Sequence, residues 1–141
     1  MSRIVVGVDG SEHAVRALRW AVEDARRRGA GLSVVHAVPF PFNLADPILI
    51  PPPPEHDLQL AGLQVIDEAL ADVEVDDLDV QRTAVIGQAA SVLCDAATGA
   101  ELLVLGSRGL GGFKGLLVGS VTQQVVAHAP CPVVVVGPET R

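Results

Sequence analysis

Cysteine is almost absent from this 141-residue chain. Cys94 and Cys131 are its two thiols, and they fit neither a metal-ligand spacing nor a redox C-x-x-C pair. Cys94 lies in SVLCDAA with Ala90, Leu93 and Ala97 on one helical stripe, which predicts a small buried thiol rather than a reactive one. Long apolar runs are missing too. None approaches the roughly twenty residues of a membrane helix, and the opening MSRIVVGVDGSEH has no h-region or cleavage pattern of a signal peptide. The expectation is a cytoplasmic protein without a membrane partner.

Positive charge is scarce. Ten Lys and Arg face 17 Asp and Glu, for a net charge of −7, which argues against a broad nucleic-acid-binding face. Between Gly29 and the terminal Arg141 the cations are Arg82, Arg108 and Lys114, two of them in one glycine-rich stretch. Scarce cations beside glycine predict a local anion site, with plain loop solvation as the alternative. The triplet Arg26-Arg27-Arg28 reads instead as a helix C-terminus stopped by Gly29.

Several catalytic signatures are also missing. There is no Walker G-x-x-x-x-G-K-S/T, since Lys114 precedes Gly115. The dinucleotide fingerprint fails because Lys114 stands where its third glycine should be. No G-x-S-x-G elbow occurs, and His13, His36, His56 and His128 form no ligand cluster. A response-regulator phosphoacceptor would need an acidic cluster after the first strand, where Asp9 stands alone.

What is present is an alternation of apolar strands and amphipathic helices. Apolar residues make up 49% of the chain, and its length suits one domain spanning 1–141. Strands are predicted at Arg3–Val8, Leu32–Val38, Leu78–Val85, Leu102–Leu105 and Pro132–Val136. Ser11 can cap a first helix whose buried stripe is Ala14, Ala17, Leu18, Ala21, Val22 and Ala25. A second helix is predicted over 56–73 with Leu60, Leu63, Ile66, Leu70 and Val73 on one face, a third over Gln88–Thr98, and a fourth over Ser120–His128. Between the second strand and second helix, residues 39–55 hold seven of the ten prolines and read as a stiff connector or a wall beside a site. The order β-α-β-α-β-α-β-α-β with uniformly apolar strands is an α/β fold: a five-stranded parallel sheet with helices on both faces. Ligands of such sheets sit beyond the carboxyl ends of the strands, which points to Asp9-Gly10-Ser11 and to the loop after strand four.

That loop, GSRGLGGFKGLLVGS (106–120), carries six glycines in fifteen residues. Such density weakens regular structure by roughly 0.5–1 kcal/mol per glycine, so something must compensate. Gly106, Gly109, Gly119 and Ser120 stand in a G-x-x-G, nine residues, G-S spacing. The spacing resembles the nucleotide motif of the universal stress protein family, ATP-binding branch. IVVGVDGS, LSVVHAV, GQAA and HAPCPVVVVG extend the resemblance along the whole chain. It implies a Rossmann-like sheet of order 3-2-1-4-5 and a cytoplasmic stress-response protein that binds ATP, with or without magnesium. Carried over by position, Gly106, Gly109, Gly119, Ser120 and Val121 would hold ribose and phosphates, and Asp9 with the backbone near Val38 the adenosine end.

Bland readings stand beside these. Ser120 and Gln123 form an S-x-x-Q capping box, Asp9 can be a turn residue, and FKGLLV (113–118) reads as packing. Strand PVVVV, 132–136, would be an exposed edge, so a homodimer through antiparallel self-pairing is expected, as the resemblance also implies. No general base or metal set stands out, so at most slow ATP hydrolysis is expected. A nucleotidyl-transferring enzyme, a nucleotide-free dimeric module and cyclic AMP in place of ATP remain the alternatives.

Overall fold

The computed structural model describes residues 2–39, 53–108 and 118–138. Five strands, β1 (Arg3–Gly7), β2 (Gly31–Val38), β3 (Val80–Ile86), β4 (Leu102–Gly106) and β5 (Val133–Val136), pair in parallel in the order β3-β2-β1-β4-β5. Helices α1 (Glu12–Arg28), α2 (Glu55–Leu70), α3 (Ala89–Ala96) and α4 (Ser120–His128) alternate with them. The expected order 3-2-1-4-5 is the observed one.

Two cores lie on opposite faces of the sheet. On one, Ile4, Val6, Leu32, Val34 and Val104 meet α1 and α2; on the other, Val5, Val35, Leu103 and Leu105 meet α3 and α4. This is why the strands carry apolar residues at successive positions instead of alternating. The β1 and β4 side chains in both cores are at most 7% exposed.

The stripe expected on α1 is the one that is buried, and Asp24 joins it by pairing with Arg28 Nε at 2.7 Å. The arginine triplet ends the helix as expected. Arg26 Nε donates to Asp77 at 2.8 Å, Arg28 Nη1 donates to Glu101 at 2.7 Å, and the Gly29 amide closes the cap on Ala25 and Arg26. At the same end of the sheet, Arg3 donates to Ser33, Asp79 and the Leu32 carbonyl, joining β1 to β2 and to the residue before β3.

Helix α2 keeps its expected face at Ile66, which is buried, and at Leu63, Leu70 and Val73, which pack against the core; Leu60 is the exception. Leu60 is 52% exposed, whereas Gly62, Ile66 and Ala69 are buried. Gly62 sets how closely the helix sits: a Cβ there would lie 2.6 Å from Val38 Cγ2 and 2.8 Å from Ala84 Cβ. The bare backbone lets α2 settle onto β2 and β3 along the glycine, and Leu60 is turned outward. Residues 40–52 of the connector predicted at 39–55, Gly109, Lys114 and residues 113–117 of FKGLLV lie outside the described residues.

Cys94 and Cys131 both pack against the α3/α4 core and are half-buried. Burial pushes each thiol up from its ordinary value. The neighbouring Asp95 charge adds to this at Cys94, and Cys94 itself adds to it at Cys131.

Candidate functional site

The chain turns to opposite sides of β1 when it makes β2 and β4, and a cleft of about 680 Å³ opens there beyond the strands' carboxyl ends. Val35, Leu93 and Leu105 contribute apolar surface to it, and residues at the ends of β1, β2 and β4 form its upper wall. Asp9, Gly106, Gly119, Ser120 and Val121, all expected from the sequence, line this one cleft.

Asp9 has a double position. Its Oδ1 accepts from the Ser11 amide at 2.9 Å and from Ser11 Oγ at 2.6 Å, while Ser11 Oγ accepts from the Ala14 amide at 3.2 Å. The carboxylate therefore stiffens the start of α1 through Ser11 and also faces the cleft. The turn residue is also a cleft-lining residue.

Val38 is not itself a cleft residue; Ala37 and Pro39 on either side of it are. The Val38 carbonyl accepts from the Gly87 amide at 2.9 Å, and its side chain packs at Gly62. The wall near Val38 is thus set by its neighbours.

Gly106 is glycine because α1 comes too close for anything larger. A Cβ at this position would lie 2.8 Å from the His13 carbonyl oxygen. The Gly106 carbonyl accepts from Thr122 Oγ1 at 2.9 Å, and the Gly119 amide donates to the Ser107 carbonyl at 2.7 Å. These two bonds hold the start of α4 against the end of β4. The Gly119 amide is consumed by this latch, so its contribution is to the turn and not to an anion.

The capping box does not form. Gly119 is the N-cap and Ser120 the first helical residue, so the Ser120 hydroxyl is not in capping position. Gln123 instead donates Nε2 to the Val118 carbonyl at 3.1 Å. The first intrahelical bond runs from the Gln123 amide to the Gly119 carbonyl, and no side chain among the described residues caps the end. The amides of Ser120, Val121 and Thr122 thus precede the helix's own hydrogen bonding, at its positive dipole end and beside the cleft. Arg108 joins the lining from the β4 side.

Sequence reasoning missed His36 and Thr122. His36 lines the cleft and donates Nδ1–H to the Val8 carbonyl at 2.8 Å, which fixes the tautomer and leaves Nε2 as an acceptor. Its strand position was visible in LSVVHAV; its partner was not, because it lies just past the end of β1. Among the described residues, no group of three His, Cys, Asp or Glu is placed to hold a metal ion.

Residues 1–137 match the universal stress protein family. The chain belongs to that family. It is 38% identical over 136 residues to a universal stress protein of Thermus aquaticus, covering 94% of this chain and 96% of the other. It is 37% identical over 141 residues to universal stress protein Rv2623 of Mycobacterium tuberculosis, covering 96% of this chain. The chain spans about half the length, 48%, of that mycobacterial relative.

Solved structures agree. The universal stress protein UspA of Lactobacillus plantarum superposes with a TM-score of 0.76 at 29% identity, covering 96% of this chain and 97% of that one. A universal stress protein in complex with cAMP gives 0.69 at 26% identity, with 96% of both chains covered. The Archaeoglobus fulgidus protein in complex with dAMP gives 0.60 at 25% identity, covering 96% and 97%. No helix among the described residues is long and apolar enough to cross a membrane.

Proposed function

We propose that this universal stress protein belongs to the ATP-binding branch of its family and serves the cytoplasmic stress response by binding ATP and, through it, a protein partner. One observation carries the reading. The uncapped amides of Ser120 to Thr122 open onto the same switch-point cleft as Asp9 and Gly106. A helix start whose N–H groups no side chain caps among the described residues favours an anion, and the apolar floor of Val35, Leu93 and Leu105 suits a heterocycle. A volume near 680 Å³ lies within the usual range for a small-molecule site. Relatives of the same fold have been solved with cAMP and with dAMP.

In this reading Ser120 and Val121 hold phosphate oxygens, with Gly106 and Gly119 shaping the latch beneath them and Gly109 completing the motif. Asp9 and the backbone on either side of Val38 take the adenosine end. Bound ATP would bring a flat base and a polyanion, with magnesium as a counterion; the chain's own residues bind and orient these groups. β5 is one of the sheet's two edge strands, and its Val135 is 37% exposed, so a second copy pairing along Val133–Val136 would cover it.

Titration calorimetry of the nucleotide-stripped protein with ATP, ADP and cyclic AMP in magnesium buffer tests the reading. Saturable binding of ATP is expected. Silence from all three ligands would remove it and leave a nucleotide-free module.

A further inference from the structure

The rungs between β1 and β2 show which backbone groups face each other. The Gly31 amide donates to the Ser2 carbonyl at 2.9 Å at one end, and the Val8 amide to the Val35 carbonyl at 2.9 Å at the other. Odd-numbered residues of β2 thus aim their N–H and C=O groups at β1. Even-numbered ones aim at β3, as the Leu32 amide on Asp79 and the Val38 carbonyl on Gly87 do. In a parallel ladder, the rung after the Val8 amide would run from the Ala37 amide to the Val8 carbonyl. That rung is missing: the paired register stops at Gly7 and Val35, and no bond among the described residues joins Ala37 to Val8. The Val8 carbonyl accepts from His36 Nδ1 instead, at 2.8 Å.

The replacement falls at the cleft. Val8, His36 and Ala37 all line it, and Asp9 follows Val8 directly. Val8 is a buried residue, so its carbonyl requires a donor from one source or the other. The imidazole is held from behind by α2, since a Cβ on Gly62 would lie 3.4 Å from His36 Cδ2. One side of the ring therefore rests on a helix while Nδ1 secures the end of β1. The Ala37 amide is left aimed towards β1 with no partner there, at the point where the two strands part.

We propose that His36 is a positioning residue that takes the Val8 carbonyl out of the β1–β2 ladder and so leaves the Ala37 amide to a ligand in the cleft. The proposal rests on the nucleotide reading for the identity of that ligand, but not for the state of the ladder. The free N–H suits an acceptor atom on a planar base lying over the apolar floor. The same bond steadies the peptide that leads into Asp9. His36 thus acts on the adenosine end through Val8 and Ala37.

Amide exchange at Ala37, followed by NMR, reads the ladder directly. The samples are the intact chain, His36→Leu and His36→Asn, each with and without ATP. An asparagine amide can donate from the place of Nδ1, whereas leucine cannot donate. In the ligand-free parent Ala37 should exchange about tenfold or more faster than Val34 and Val35, and ATP should slow it. In His36→Leu the released carbonyl takes the Ala37 amide, which slows about tenfold or more without any ligand, and in His36→Asn it stays fast. ATP affinity should fall about tenfold in His36→Leu and return to within about threefold of the parent in His36→Asn. Melting curves confirm folding, and the parent's own exchange decides the case if a variant fails to fold. An Ala37 amide as protected as its neighbours in the ligand-free parent overturns the proposal. Unchanged exchange in folded His36→Leu, or asparagine behaving as leucine, overturns it too. ATP binding that leaves Ala37 exchange untouched also overturns it, with the nucleotide cleft still standing. The expected exchange pattern without any ATP binding keeps His36 in its role at the ladder and discards the nucleotide reading.

Discussion

Thr122 reaches from the first turn of α4 to the last residue of β4, donating its hydroxyl to the Gly106 carbonyl at 2.9 Å in a buried bond. The bond joins the two halves of the glycine motif at the point where α1 also presses on Gly106. Stability and ligand binding are therefore coupled there.

Thr122→Val keeps the shape and leaves the carbonyl unpaired. It should destabilise the protein by about 1–3 kcal/mol and weaken ATP binding by loosening α4. Urea melts with and without ATP check both; unchanged stability would show that the carbonyl finds another donor.

Gly106→Ala tests the contact with α1. The new Cβ meets the His13 carbonyl at 2.8 Å, backbone that cannot simply rotate away. A loss of about 1–3 kcal/mol is expected, with ATP affinity falling as α1 shifts. An alanine variant as stable as the parent would mean that α1 yields freely.

Gly62→Ala lies away from the cleft but lifts α2 from β2 and β3, since its Cβ would sit 2.6 Å from Val38 Cγ2. We expect about 1–3 kcal/mol of destabilisation, read by calorimetric melting. A variant that melts with the parent would contradict the close seating of α2.

Acid should act through the arginine pairs. Hydrogen bonding from Arg26 holds the Asp77 carboxyl below its ordinary 3.8, and Arg28 does the same for Glu101 against an ordinary 4.5. Both carboxylates are favoured as anions in the fold. Their contribution is complete above the ordinary carboxylate range and disappears as pH falls through the lowered values. The urea midpoint should drop between about pH 5 and pH 3, and Arg26→Gln should flatten part of that drop. An equal slope in the variant would locate acid sensitivity elsewhere.

The thiols should be slow nucleophiles. Burial raises both Cys94 and Cys131 above the ordinary 9.0, so little thiolate is present near neutral pH. Iodoacetamide at pH 7.5 should label the native protein about tenfold slower than the urea-unfolded chain. Equal rates would refute this.

How much could be read in advance depended on how local the cause was. The α1 stripe was legible residue by residue because helical period and small apolar side chains act within one segment. The strand order came through the family resemblance and is the observed one. Leu60 was misplaced because the seating of α2 is decided by Val38 and Ala84, which only the folded sheet brings to Gly62. The Ser120–Gln123 box failed for a similar reason: the Ser107 carbonyl takes the Gly119 amide and starts the helix from Gly119. Asp9, Gly106, Gly119, Ser120 and Val121 were found in one cleft from motif spacing, while His36 and Thr122 act through partners elsewhere in the chain.

The ion pairs of Arg3, Arg26 and Arg28 gather where the strands begin, and the uncapped amides gather where they end. The sheet thus has one sewn margin and one open margin. Opening fluctuations should begin at the second, and an occupant there should act as a missing stitch, slowing amide exchange in α4 and the start of α1 well before it alters exchange around Arg3.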